Sequence, residues 1–147
     1  MTETTKPRIV VGLDNSESSL DALSWAAEQA RRYGATLHVV TAWEFPTAAG
    51  IPVPIPINYM PASIAREAAE AVIRKTLGDD PDVAVEISVV EGHARTVLVE
   101  ASHGAMLLVV GRRGRSGVPG LTLGSVSEAC ARHATCPVVI MHSPDAE

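Results

Sequence analysis

The chain has 147 residues, close to the commonest domain size, so it can bury one core and a single domain over residues 1–147 is expected. A composition of 46% hydrophobic, 20% charged and only 3% aromatic residues excludes disorder for most of the chain and predicts a core of Val, Ile, Leu and Ala rather than rings. The formal charge of −5 opposes non-specific attraction to nucleic acid or anionic membranes, and neither is expected as a partner.

The first apolar run, residues 8–14, ends at a turn signal and is followed over residues 16–33 by apolar residues at helical spacing, so a strand and then a helix are predicted. Leu20, Leu23, Ala26, Ala27 and Ala30, with Trp25 beside them, form the apolar side of that helix. Ser16 or Ser18 caps its start, and Gly34 its end. A second strand covers residues 36–43. Residues 44–61 carry prolines at 46, 52, 54, 56 and 61 and can sustain neither helix nor inner strand, so a long loop is predicted, a lid or docking surface near the ligand or a plain connector.

A helix is predicted over 62–77 and a turn over 78–81. Val83, Val85, Ile87 and Val89 then alternate with polar or small residues, a strand with one wetter face at a sheet edge. A short helix over 94–103, a buried strand over 106–110, a helix over 124–133 and a last strand over 137–142 complete the chain. Strict alternation of strands and helices implies an α/β fold: a doubly wound, Rossmann-like, five-stranded parallel sheet in the order 3-2-1-4-5. The switch point then falls between the first and fourth strands, and ligands bind there, outside the carboxyl ends. Those two ends read Gly12-Leu13-Asp14 and Gly111-Arg112-Arg113-Gly114.

From Gly111 to Ser127 the chain is glycine-rich and enters a helix near Gly124. Glycine lets backbone N–H groups approach an anion, a helix start adds unpaired donors and a positive dipole end, and Ser125 and Ser127 add hydroxyls. This is phosphate chemistry without a P-loop lysine, and no dinucleotide fingerprint follows the first strand. On glycine content alone the stretch reads equally well as a flexible connector capped by Ser125.

Gly111-x-x-Gly114, nine residues, then Gly124-Ser125 resembles the G-2x-G-9x-G-[S/T] signature of ATP-binding members of the universal stress protein family. Val10-Val-Gly-Leu-Asp-Asn-Ser16 resembles that family's opening V-G-x-D-x-S, and Val90-Glu-Gly92, Leu108-Val-Val-Gly111 and Ala134-Thr-Cys-Pro-Val-Val139 recur in order. The resemblance implies that Asp14 lies at the adenine or ribose end and that the Val39 backbone lines the base pocket. It places Gly111 by the ribose and Gly114, Gly124, Ser125, Val126 and Ser127 around the phosphates, with Mg²⁺ or Mn²⁺ beside them. Asn15 stands where the family often has Gly, and Met106 where an Asp often precedes the fourth strand.

Read as a turn-forming or capping carboxylate, Asp14 needs no ligand. Arg112, Arg113 and Arg115 either neutralise phosphates or are simply solvated. No His shows metal spacing, and Cys130 and Cys136 read as small buried thiols in a reducing compartment. The loop offers amides and hydroxyls but no carboxylate nearby in sequence to position water, so binding without efficient turnover is expected, in a regulatory module for stress adaptation. A slow ATPase or self-phosphorylating protein, and a cyclic AMP binder, are the alternatives. Val138–Met141, apolar on both faces at a sheet edge, predicts a homodimer through antiparallel pairing. A polar N-terminus and strand-sized apolar runs predict no leader or membrane span and a cytoplasmic location.

Overall fold

Residues 6–45, 47–52, 54, 61–112 and 123–142 are described by a computed structural model. Its elements are β1 (Arg8–Gly12), α1 (Glu17–Tyr33), β2 (Thr36–Trp43), β3 (Thr47–Ala48), β4 (Ile51–Pro52), α2 (Pro61–Leu77), β5 (Val85–Glu91), α3 (Ala94–Ala101), β6 (Leu107–Gly111), α4 (Ser125–His133) and β7 (Val138–Met141). The main sheet is parallel throughout, in the order β5-β2-β1-β6-β7. Because β3 and β4 pair only with each other, that order is the predicted 3-2-1-4-5 of the main strands. The switch point lies between β1 and β6.

Period-two alternation gives the sheet two buried faces. Ile9, Val11, Leu37, Val39 and Val109 join the α1 residues Leu23, Ala26, Ala27 and Ala30 in one core. Val10, Val40, Leu108 and Val110 join Val97, Leu98 and Cys130 of α3 and α4 in the other. α1 forms where predicted: the Ser16 hydroxyl, not that of Ser18, accepts the Ser19 N–H at 3.2 Å, and Gly34 closes the helix at φ 63°. At that left-handed angle glycine avoids the steric penalty of a Cβ.

Several boundaries differ from the sequence expectation. β5 starts at Val85 rather than Val83 and runs to Glu91, since its length is set by pairing with β2 as far as Trp43↔Glu91. α3 stops at Ala101, two residues short of His103, where the Arg8 guanidinium takes the carbonyls of Ala101 and His103. The 44–61 loop holds a small hairpin, Thr47–Ala48 against Ile51–Pro52, turned by Ala49 at φ 52° and Gly50 at φ 79°. Both turn residues at positive φ fit the twist of a two-residue hairpin. Cys130 is buried as expected, whereas Cys136 is partly exposed; both are free thiols.

Candidate functional site

β1 ends at Gly12, and the chain then turns sharply into α1. Leu13 fixes that turn from both sides: its N–H donates to the Val40 carbonyl at 3.0 Å and its carbonyl accepts from the Thr41 hydroxyl at 3.0 Å. Asn15 takes φ 66°, a left-handed angle that Asn tolerates. One carboxylate oxygen of Asp14 accepts from the Ser16 N–H at 3.0 Å and from its hydroxyl at 2.5 Å. The side chain of Asp14 therefore braces the start of α1.

Beside this turn lies a cavity of about 500 Å³, counting its open mouth. Gly12, Leu13, Asp14, Ser16 and Ser19 form one wall, Val40 and Ala42 of β2 another, Ala94 and Leu98 of α3 a third, and Val110, Gly111 and Val126 the fourth. The walls are mainly apolar, and Ser19 is engaged already, donating to the Ser16 carbonyl at 3.0 Å. Gly12 leaves the room that Leu98 fills: a Cβ there would meet Leu98 Cδ1 at 2.7 Å. A second cleft shares Leu13, Asp14 and Ala42 and runs between β2 and α2, bordered by Glu44 and Pro61, the two ends of the proline-rich loop. Glu44 pairs with His93 at the start of α3, 3.0 Å away.

Of the residues named from sequence, Asp14, Gly111 and Val126 line the cavity and Gly124 and Ser125 open the adjacent helix. Gly114 lies outside the described residues, as do Arg113 and Arg115. Val39 is elsewhere. Its side chain sits in the α1-side core, and its register partner on β5 is Ile87. Along a strand the N–H and carbonyl of one residue point to the same neighbour, and those of the next residue to the opposite one. Leu37 N–H and the Trp43 carbonyl both bond on the β5 side, so Val39 faces β5, while Ala42 faces the side on which β1 has already ended. Ala42, missed in the sequence, thus carries the β2 backbone groups turned toward the open end of β1.

The start of α4 is arranged differently from that of α1. Gly124 is its N-cap, at φ −76° and ψ 169°, and no side chain among the described residues caps it. Its first helical hydrogen bond is Glu128 N–H to the Gly124 carbonyl at 3.0 Å, which leaves the amides of Ser125, Val126 and Ser127 ahead of the ladder. The Ser127 hydroxyl has other partners. Expected as a phosphate donor, it belongs to a residue that is 2% exposed, and it donates to the Arg112 carbonyl at 2.7 Å. Among the described residues no group of three His, Cys, Asp or Glu side chains is placed to hold a metal ion.

The sequence profile described as the universal stress protein family matches residues 7–142. The chain belongs to that family. A universal stress protein of Mycobacterium tuberculosis (strain H37Rv) is 35% identical over 143 residues, covering 93% of this chain and 48% of its own length. The chain spans about half the length of the curated relatives it matches. Among solved structures, a universal stress protein in complex with cAMP is 31% identical, with a TM-score of 0.64, over 95% of this chain and 98% of that one. A universal stress protein from Lactobacillus plantarum shares the fold at a TM-score of 0.71 and 17% identity, over 95% of this chain and 100% of that one. No helix among the described residues of this family member is long and apolar enough to cross a membrane.

Proposed function

We propose that the cavity binds an adenine nucleotide, ATP first, and that this universal stress protein works as a nucleotide-responsive regulatory module in stress adaptation, in the cytoplasm. The observation that carries the reading is the pairing of an apolar slot with the uncapped start of α4, which meet at Val126. The base enters the slot against Val40, Leu98 and Val110, and reads the Ala42 peptide rather than that of Val39. The phosphates lie on the amides of Ser125, Val126 and Ser127, at the positive end of the α4 dipole and on a different wall from the Asp14 carboxylate. Asp14 and Gly111 then flank the ribose, and Gly114 and Gly124 complete the phosphate cradle. Mg²⁺ or Mn²⁺ travels on phosphate oxygens and water, as these ions do where carboxylates are scarce.

Binding without efficient turnover is supported by the same geometry. The one carboxylate among the described residues that lines the cavity, Asp14, already accepts two hydrogen bonds from Ser16. Protein purified from its host is expected to carry adenine nucleotide identifiable by mass spectrometry, and calorimetry is expected to rank ATP above cyclic AMP and adenosine. Label transferred from γ-labelled ATP to Ser125, or steady phosphate release, would instead make it a slow phosphotransfer enzyme. The 31%-identical structure in complex with cAMP favours one second reading, in which a cyclic monophosphate is the ligand. Competition calorimetry in which cyclic AMP outranks ATP would establish that reading.

A homodimer through β7 completes the proposal. Val138–Met141 is an edge strand whose four residues are all only partly buried. Exposed apolar edges invite pairing with another strand. Light scattering at micromolar concentration is expected to give twice the chain mass, and a monomer would refute it.

A further inference from the structure

The two ends of the glycine-rich stretch meet at one carbonyl. The Arg112 carbonyl accepts the Gly124 N–H at 2.8 Å and the Ser127 hydroxyl at 2.7 Å, and the Arg112 N–H donates to the Met141 carbonyl of β7 at 2.8 Å. The Ser127 hydroxyl lies 3.1 Å from the Gly124 carbonyl as well. A hydroxyl has one proton, and here that proton points at carbonyl oxygens. An anion at the start of α4 needs donors, so the Ser127 side chain has none to give it without letting go of Arg112.

We propose that Ser127 is a positioning residue for the phosphate cradle: its hydroxyl clasps the Arg112 carbonyl and so holds the uncapped start of α4 against the ends of β6 and β7. The clasp uses the N-cap amide and the side chain of the third helical residue together, the same two positions that a capping box joins, but both grip an outside carbonyl. The helical amides of Ser125, Val126 and Ser127 thereby keep a fixed direction before any ligand arrives, the preorganisation that favours binding. This inference rests on the reading that α4 receives the phosphates.

Ser127→Ala and Ser127→Thr test it. In ligand-free Ser127→Ala, amide hydrogen exchange at Gly124 and Arg112 is expected to speed up, ATP to bind up to about tenfold more weakly, as loss of one hydrogen bond implies, and adenosine to bind as before. Ser127→Thr keeps the hydroxyl and is expected to restore both readouts. Weaker ATP binding with unchanged exchange would make Ser127 a direct phosphate ligand and overturn the proposal. Equal weakening of ATP and adenosine, or faster exchange with ATP binding intact, would also overturn it, leaving a contact that serves the fold alone. Should the unaltered protein take up no ATP at all, the nucleotide reading falls and the positioning role with it, while the exchange data still report whether the clasp exists.

Discussion

Gly111 has no space for a side chain: a Cβ there would stand 2.3 Å from the Ser18 hydroxyl oxygen and 2.8 Å from the Ser18 backbone carbonyl carbon. The family resemblance implies a ribose beside this glycine, but the packing of α1 onto β6 already demands it. Backbone cannot swing aside as a side-chain tip can, so Gly111→Ala is expected to destabilise the protein by about 1–3 kcal/mol in urea unfolding. Gly12→Ala meets only side-chain atoms of Leu98, the nearest at 2.7 Å, and is expected to cost less stability while narrowing the cavity. Equal losses from the two substitutions would contradict this account. Asp14, legible as either a ligand or a turn former, braces Ser16 through an N–H two residues away, a local contact of the kind a sequence can suggest. Ser127 was not legible in the same way, because its partner Arg112 lies across the glycine-rich stretch.

Two helix starts face the same end of the sheet, and they are finished differently. α1 carries its own cap in Ser16, whose oxygen accepts the Ser19 N–H, while the Gly124 start of α4 carries none. Gly124 adopts extended backbone angles open to any residue, so Gly124→Asp can supply the missing cap. It is expected to raise stability by about 0.5–1 kcal/mol and to abolish nucleotide binding, since the new carboxylate would occupy the amides and repel the phosphates. Thermal melts and calorimetry on the one variant check both halves; a more stable protein that still binds ATP would contradict the assigned phosphate position. Ser16→Ala is expected to cost about 1 kcal/mol of stability through α1. The elements themselves were readable because apolar runs and helical spacing are local signals. The β5 boundaries and the choice of Ala42 over Val39 were not, since both depend on which neighbour each residue of β2 turns its backbone groups to.

At the scale of the molecule, alternation of strand and helix with right-handed crossovers was enough to set the strand order, and with it the location of the cavity. pH acts at this scale through His38, half-buried on β2. Its Nδ1 lies 3.4 Å from an Arg8 guanidinium nitrogen and its Nε2 lies 2.7 Å from the Ser88 hydroxyl. Burial first, then Arg8, hold its pKa below the ordinary 6.5, with Glu86 opposing. The unfolded chain therefore binds the proton at a higher pH than the folded one does. The stability that neutral His38 contributes is full above about 6.5 and is lost as pH falls from there through the lowered folded value. Melting temperatures are expected to drop between pH 7.5 and 5.5, and His38→Gln to flatten part of that slope; an unchanged slope would assign it to other groups.

The close seat of Gly111 against Ser18 also sets apart a side of the cavity packed at backbone distance from one tied on by hydrogen bonds. β1, α1 and β6 interlock at backbone distance, so that side has no slack with which to answer a ligand. α4 meets the sheet's end at the Arg112 junction, whose peptide groups also reach the last residue of β7. Any strain that follows filling of the cavity is thus expected to pass from the clasped α4 start through Arg112 to the edge strand as one tied unit, and away from the three strands at the other end of the sheet.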